Sequence, residues 1–130
     1  MARIMVVEDE PLVLSNLVEL LGLHGFETMS ASDGQIALDQ LLQVANTREA
    51  LPHLIVSDLM MPNLDGYGLL GEVKKDQRLK KIPLVVLSAK SDSSDLNKAF
   101  ELGASDYVVK PFEMDQLLHV IAKHLDAKCC

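Results

Sequence analysis

The sequence predicts an α/β domain built on a parallel sheet covered on both faces, and three observations predict it. Strand-type and helix-type segments alternate five times along 130 residues, the pattern of a parallel sheet with crossover helices. Its strand segments are short, mostly continuous apolar runs, as strands buried on both faces require. Aromatic residues make up only 4% of the chain, with no Trp, so Leu, Val, Ile, Ala and Met must fill the core, which disfavours an aromatic-rich β-sandwich.

Ile4 to Val7 is the first apolar run. Pro11 suits a first helical turn, Leu14, Leu17, Val18 and Leu21 follow at helical spacing, and Gly25 closes the segment as a cap. Phe26 to Ala31 is a weaker strand. Ser32, Asp33 and Gly34 turn the chain into a second helix, Ile36 to Val44.

Pro52 punctuates before Leu54-Ile55-Val56, a third strand that ends at Asp58. Pro62 and Asp65-Gly66 mark a loop, after which Leu69, Leu70 and Val73 carry a third helix. Pro83 leads into the fourth strand, Leu84 to Leu87. A fourth helix is expected from about Asp92 to Leu102 with Leu96, Ala99 and Phe100 inward. Tyr107-Val108-Val109 is the fifth strand, ended by Lys110-Pro111. Met114, Leu117, Leu118, Ile121 and Leu125 then recur on one face of a last amphipathic helix.

These elements are expected to form one domain over residues 1–126, with 127–130 as a short tail and no output domain in the chain. The only cysteines, Cys129 and Cys130, are adjacent and terminal, and so offer neither a disulfide framework nor a spaced metal pair. A net charge of −7 argues against general affinity for nucleic acid. No apolar run approaches the roughly 20 residues that span a bilayer, and the N-terminus turns acidic at Glu8, too soon for a signal peptide. The expected setting is cytoplasmic.

Open parallel sheets bind ligands beyond the carboxyl ends of their strands. There the first strand is followed by Glu8, Asp9 and Glu10, the third ends in Asp58, and Ser88 and Lys110 follow the fourth and fifth. Any one acidic residue at a strand end is ordinarily solvated or caps the next helix. Jointly, carboxylates crowded on neighbouring strand ends repel, and a cation relieves the repulsion. All-oxygen ligands suit a hard ion, Mg²⁺ or Mn²⁺, rather than zinc. Carboxylate nucleophile, metal, ammonium and hydroxyl together make a phosphoryl-transfer site.

Four segments carry a family resemblance: Val6-Val7-Glu8-Asp9-Glu10, Ser57 to Gly66 (Ser57-Asp58-Leu59-Met60-Met61-Pro62-Asn63-Leu64-Asp65-Gly66), Leu87-Ser88-Ala89, and Tyr107-Val108-Val109-Lys110-Pro111-Phe112. In order and spacing they resemble bacterial response-regulator receiver domains over essentially the whole chain. The resemblance implies a flavodoxin-like fold with strand order 2-1-3-4-5. It implies that Asp58 accepts a phosphoryl group from a sensor histidine kinase, a histidine phosphotransfer protein or a small phosphodonor. It further implies that Glu8, Asp9, Asp58 and the main-chain carbonyl of Met60 hold Mg²⁺, and that Ser88 and Lys110 contact the phosphoryl oxygens. Tyr107 would be the aromatic switch, reporting to an output partner through the fourth helix, fifth strand and fifth helix. The bland reading of Tyr107 is packing at an edge strand.

Three features vary from the pattern. Glu8 stands where many members have Asp, Ser88 replaces the frequent Thr, and Gln43 to Pro52 is slightly longer than usual.

Two other classes compete. A Mg²⁺-dependent hydrolase with an Asp nucleophile needs a second Asp two residues on as general acid, but Met60 stands there. A non-phosphorylated module of the same shape is expected to lose Asp58, the acidic pair or Lys110, and all are present. No glycine-rich phosphate loop follows the first strand. His24, His53, His119 and His124 show no i, i+4 metal spacing, and the basic cluster Lys74, Lys75, Arg78, Lys80 and Lys81 reads as a solvated helix end.

Overall fold

The computed structural model describes residues 2–47, 50–88 and 93–129. Five strands and five helices alternate: β1 Arg3–Val7, α1 Pro11–Leu23, β2 Glu27–Ala31, α2 Gly34–Val44, β3 Leu54–Asp58, α3 Gly66–Lys75, β4 Leu84–Ser88, α4 Ser93–Glu101, β5 Asp106–Val109 and α5 Met114–Cys129. The strands form one parallel sheet in the order β2-β1-β3-β4-β5, the order implied by the resemblance.

Side chains alternate across each strand, so successive residues feed two separate cores. Ile4, Val6, Leu54, Val56, Val85 and Leu87 pack with Leu17 and Leu21 of α1 and Leu117 and Ile121 of α5. On the opposite face Met5, Val7, Ile55, Leu84 and Val86 meet Leu41 of α2, Leu69, Leu70 and Val73 of α3 and Ala99 of α4. Each large aliphatic side chain so buried contributes roughly 1.5–3 kcal/mol, which explains why β1, β3 and β4 are apolar almost throughout.

Side-chain caps set the starts of α2 and α3. Asp33 accepts the backbone N–H of Ile36 at 2.8 Å, so α2 begins at Gly34, two residues before the first periodic apolar position. Asp65 likewise accepts the N–H of Gly68 at 2.8 Å, so the Asp65-Gly66 pair is the start of α3 as well as a turn. Gly25, at φ +89°, follows the end of α1 as expected.

The N–H of Ile36, then the amide of Asn63, hold the buried Asp33 carboxyl below the usual carboxylate range. A carboxylate with a depressed folded pKa stabilises the fold above its unfolded value, about 3.9, and that contribution is lost as pH falls through the folded pKa. Asp33→Ala should therefore cost about 1 kcal/mol at neutral pH, with the gap from wild type narrowing below pH of about 4. Urea denaturation across a pH series reads this, and a gap independent of pH would contradict it.

Two expectations are corrected. Phe100 was expected on the inner face of α4, but it is 42% exposed and only Ala99 of the expected trio is buried. In this short helix Ala99 makes the close approach to the sheet, and Phe100, one residue round, turns toward β5. The last helix also continues through Cys129, so the backbone of 127–129 is helical rather than a tail, since no Pro or Gly breaks it. Asp92, the expected start of the fourth helix, lies outside the described residues, as do Ala89 and Cys130.

Candidate functional site

Strand order reverses at β1: from it the sheet grows to β2 on one side and to β3, β4 and β5 on the other. Val7 pairs in register with Ser57, Asp58 with Leu87, and Ser88 with Val109. The carboxyl ends of four strands therefore lie side by side and deliver Glu8, Asp58, Ser88 and Lys110 to one rim.

Carboxylate oxygens of Glu8, Asp9 and Asp58 all lie within 4.8 Å of one another, and among the described residues this is the group spaced to hold a metal ion. Glu8 is fully buried and Asp58 nearly so, whereas Asp9 is exposed. Lys110 Nζ donates to Glu8 Oε2 at 2.9 Å and to Asp58 Oδ2 at 3.3 Å. Burial pushes the Glu8 carboxyl up, the hydrogen bond from Lys110 opposes it, and the Asp58 charge adds to the rise; the carboxyl lies above its ordinary value. Burial alone would lower Lys110, but the hydrogen bond to Glu8 and the charges of Asp58 and Glu8 more than offset it and hold the ammonium above its usual range.

Three carboxylates facing one ammonium leave negative charge in excess, which a divalent cation would neutralise. The donor set, all oxygen and mostly anionic, fits a hard ion.

Glu10 is exposed, its N–H directed at Glu8 Oε1 at 3.4 Å, and it does not join the cluster. Ser88 is buried at the end of β4, and its carbonyl accepts the N–H of Lys110 at 2.7 Å, fastening the β5 end beside it. The Lys110–Pro111 peptide is cis. Met60, 73% exposed, occupies the loop leaving β3. Tyr107 stands 39% exposed with Phe100 edge-on at 5.9 Å, an outward aromatic pair joining α4 to β5. A recess of about 530 Å³ runs along β5 and α5 beside it, lined by Tyr107, Lys110, Pro111, Gln116 and Val120 among others.

Residues that the sequence pattern does not single out also shape the site. The Ser57 hydroxyl donates to the Asp58 carbonyl at 2.9 Å. Gly66 donates its N–H to the Leu59 carbonyl at 2.8 Å, and a Cβ at position 66 would lie 2.5 Å from the Asp58 carbonyl oxygen. Only the Asp65-Gly66 turn signal hints at it, and that signal says nothing about what the turn leans on. The scattered histidines make local contacts: His124 Nε2 meets Asp106 Oδ2 at 3.0 Å, and His53 Nδ1 accepts the N–H of Arg3 at 3.0 Å. In the basic cluster, Arg78 pairs with Asp76 at 2.9 Å and Lys74 Nζ donates to the Lys80 carbonyl at 3.0 Å.

Known proteins share this architecture. The family model described as the response regulator receiver domain matches residues 4–122. The chain is 40% identical over 115 residues to a probable transcriptional regulator, ycf27, of Porphyridium aerugineum, covering 88% of this chain and 44% of that protein. It is 34% identical over 119 residues to the DNA-binding dual master transcriptional regulator RpaA of a Synechocystis strain, covering 91% and 46%. The chain thus spans about half the length of the curated relatives it matches. Among solved structures, the signal receiver domain of a signal transduction histidine kinase from Syntrophus aciditrophicus superposes with a TM-score of 0.87 at 31% identity, covering 98% of this chain and 92% of that one. A putative response regulator from Chloroflexus aurantiacus gives 0.86 at 31% identity, covering 96% and 98%.

Proposed function

Because the chain belongs to the response-regulator receiver family and is a receiver domain of two-component signalling, we propose that Asp58 is its phosphoacceptor. The observation that supports this reading is the grouping of the Asp58 carboxylate with those of Glu8 and Asp9, beside a Lys110 ammonium that bridges Asp58 and Glu8. Glu8, Asp9, Asp58 and the main-chain carbonyl of Met60 would hold Mg²⁺, with Mn²⁺ as a substitute. Bound there, the ion supplies charge neutralisation at the phosphoryl oxygens.

The residues of the chain do the rest. An Asp58 carboxylate oxygen attacks phosphorus in line, and the bond from phosphorus to the donor's leaving group breaks. Lys110 is already within reach of Asp58 Oδ2 and binds a phosphoryl oxygen as charge builds there. Ser88, at the adjacent strand end, donates its hydroxyl to another. Drawing Ser88 toward the phosphoryl group opens room behind it, and Tyr107 rotates inward from its exposed position against Phe100. The altered α4–β5–α5 surface then selects the output partner. Reversing a 99:1 preference requires about 5.5 kcal/mol of differential stability, a scale suited to a multiply charged group meeting an ammonium and a cation.

The phosphoryl source is a sensor histidine kinase, a histidine phosphotransfer protein or a small phosphodonor. The protein acts as a switch that catalyses only its own phosphorylation and dephosphorylation; the absence of a second acid two residues after Asp58 supports this. The relative named as a DNA-binding regulator is about twice as long, and the net charge of −7 favours protein partners over nucleic acid for these residues. Among the described residues no helix is long and apolar enough to cross a membrane, which is compatible with a cytoplasmic setting.

Incubation with acetyl phosphate and Mg²⁺ tests the reading. Intact mass should rise by one labile phosphoryl group in the wild type and not in Asp58→Asn. In the same sample the Tyr107 ring resonances should shift, reporting its rotation. A fully folded wild type that gains no mass would end the assignment, and a phosphorylated protein with unmoved Tyr107 resonances would end the switch role.

A further inference from the structure

The loop from Leu59 to Asp65 leaves the phosphoacceptor strand and returns to α3. Its base is pinned by Leu59, whose N–H donates to the Leu87 carbonyl at 3.2 Å and whose carbonyl accepts from Gly66 at 2.8 Å. Its tip is held from outside, by the turn between β2 and α2. Asn63 Nδ2 donates to Asp33 Oδ2 at 2.7 Å across 30 residues of sequence. Next to this bond, the Gly34 N–H donates to the Leu64 carbonyl at 3.0 Å, and a Cβ on Gly34 would collide with that same carbonyl.

Asp33 is well placed for a double role. It is buried, one carboxylate oxygen caps α2 through Ile36 at 2.8 Å, and the other takes the Asn63 amide. Asn63 itself has φ +67°, a left-handed conformation that Asn tolerates better than most residues. This conformation folds the loop tip back so that the amide reaches Asp33. A residue with neither the amide nor tolerance of positive φ would lose the side-chain half of this attachment and leave the Gly34–Leu64 backbone bond to hold the tip.

We propose that Asp33 and Asn63 form a clasp that positions the β3–α3 loop, and with it the metal-holding side of the site. Neither residue is a catalytic residue: both act through the loop that contains Met60. The inference rests on the reading that the Met60 main-chain carbonyl is a metal ligand. A ligand carbonyl on a loop held less firmly at its tip would have to be further ordered when the metal binds, and that ordering weakens affinity. With the tip already fixed, the loop is ordered beforehand. Groups bonded directly to metal ligands typically change affinity 10- to 100-fold when removed; the clasp acts one step further away, through the loop backbone, which places its effect at the low end of that range.

Two conservative variants separate positioning from mere stability. Asn63→Gly keeps the positive φ and removes the amide. Asp33→Ser keeps an N-cap acceptor for α2 but lacks the second oxygen for Asn63. Mn²⁺ alone is titrated against each protein, with free Mn²⁺ followed by electron paramagnetic resonance well below the melting temperature. Phosphorylation by acetyl phosphate is then measured against Mg²⁺ concentration.

Either variant should raise the Mn²⁺ dissociation constant about tenfold and shift the half-saturating Mg²⁺ concentration likewise. The rate at saturating Mg²⁺ should stay within about twofold of wild type, since no group touching the phosphoryl oxygens has changed. The double variant should match either single one, because both remove the same bond. Unchanged metal affinity in both variants, even with a lowered melting temperature, would overturn the clasp, as would effects that simply add. Failure of the wild type to bind Mn²⁺ at all would overturn the site reading beneath it, a result distinct from either.

Discussion

Replacing Lys110 with Met is expected to slow phosphorylation by acetyl phosphate about a hundredfold and to destabilise the metal-free protein by about 2 kcal/mol. In the proposed mechanism Lys110 is a preorganised charged donor beside the reacting oxygens, and losing such a donor typically costs 10²–10³. The stability effect follows from Glu8. Its carboxylate is fully buried, and Lys110 lies at 2.9 Å from it; without the ammonium, Glu8 faces Asp58 with like charge in a poorly solvated corner. Removing one partner of a fully buried pair costs about 3–5 kcal/mol; the Lys110 side chain retains 24% exposure, and the figure is reduced accordingly. Methionine keeps the length and most of the apolar contact, so the loss reports charge. Urea denaturation in chelator and a mass-resolved time course measure the two effects. A variant that is as stable and as readily phosphorylated as wild type would remove Lys110 from the mechanism.

A second large effect is expected at Gly66, and its sign is opposite to helix propensity. Gly66 opens α3, and Ala would favour the helix. A Cβ there, however, would lie 2.5 Å from the Asp58 carbonyl oxygen and 2.7 Å from the Leu59 Cα, both backbone atoms that cannot rotate away. Gly66→Ala should therefore cost about 1–3 kcal/mol and slow phosphorylation, because the backbone that must move carries Asp58, the proposed phosphoacceptor. At Gly71, in the same helix, an added Cβ would meet nothing within 4 Å, and Gly71→Ala should instead stabilise the protein by up to about 1 kcal/mol. Differential scanning calorimetry of the two variants decides the matter: equal shifts in the same direction would mean that the contact behind Asp58 is relaxed at no cost.

The same residues show why parts of the site were legible in sequence. A strand must be apolar to be buried, so a carboxylate at its end, as at Asp58, or a cluster of them, as at Glu8 and Asp9, stands out against the run before it. The strand also fixes where its last residue points, so the rim composition could be read once the elements were placed. Element boundaries were less legible where a polar side chain sets them. Asp33 and Asp65 each advance a helix start beyond the apolar periodicity, and Phe100 leaves the core because a nine-residue α4 approaches the sheet through Ala99.

By itself the sequence determined the alternation of elements, the two-faced burial of the sheet and the set of groups at the strand ends, because period and polarity are local properties of the chain. Only the tertiary structure decided which distant groups meet: Lys110 with Glu8 across 102 residues, Asn63 with Asp33 across 30, Gly66 against the back of Asp58. Those meetings depend on strand register and on how closely one backbone passes another. Both are settled by packing of the whole core, and no local pattern in the chain records them.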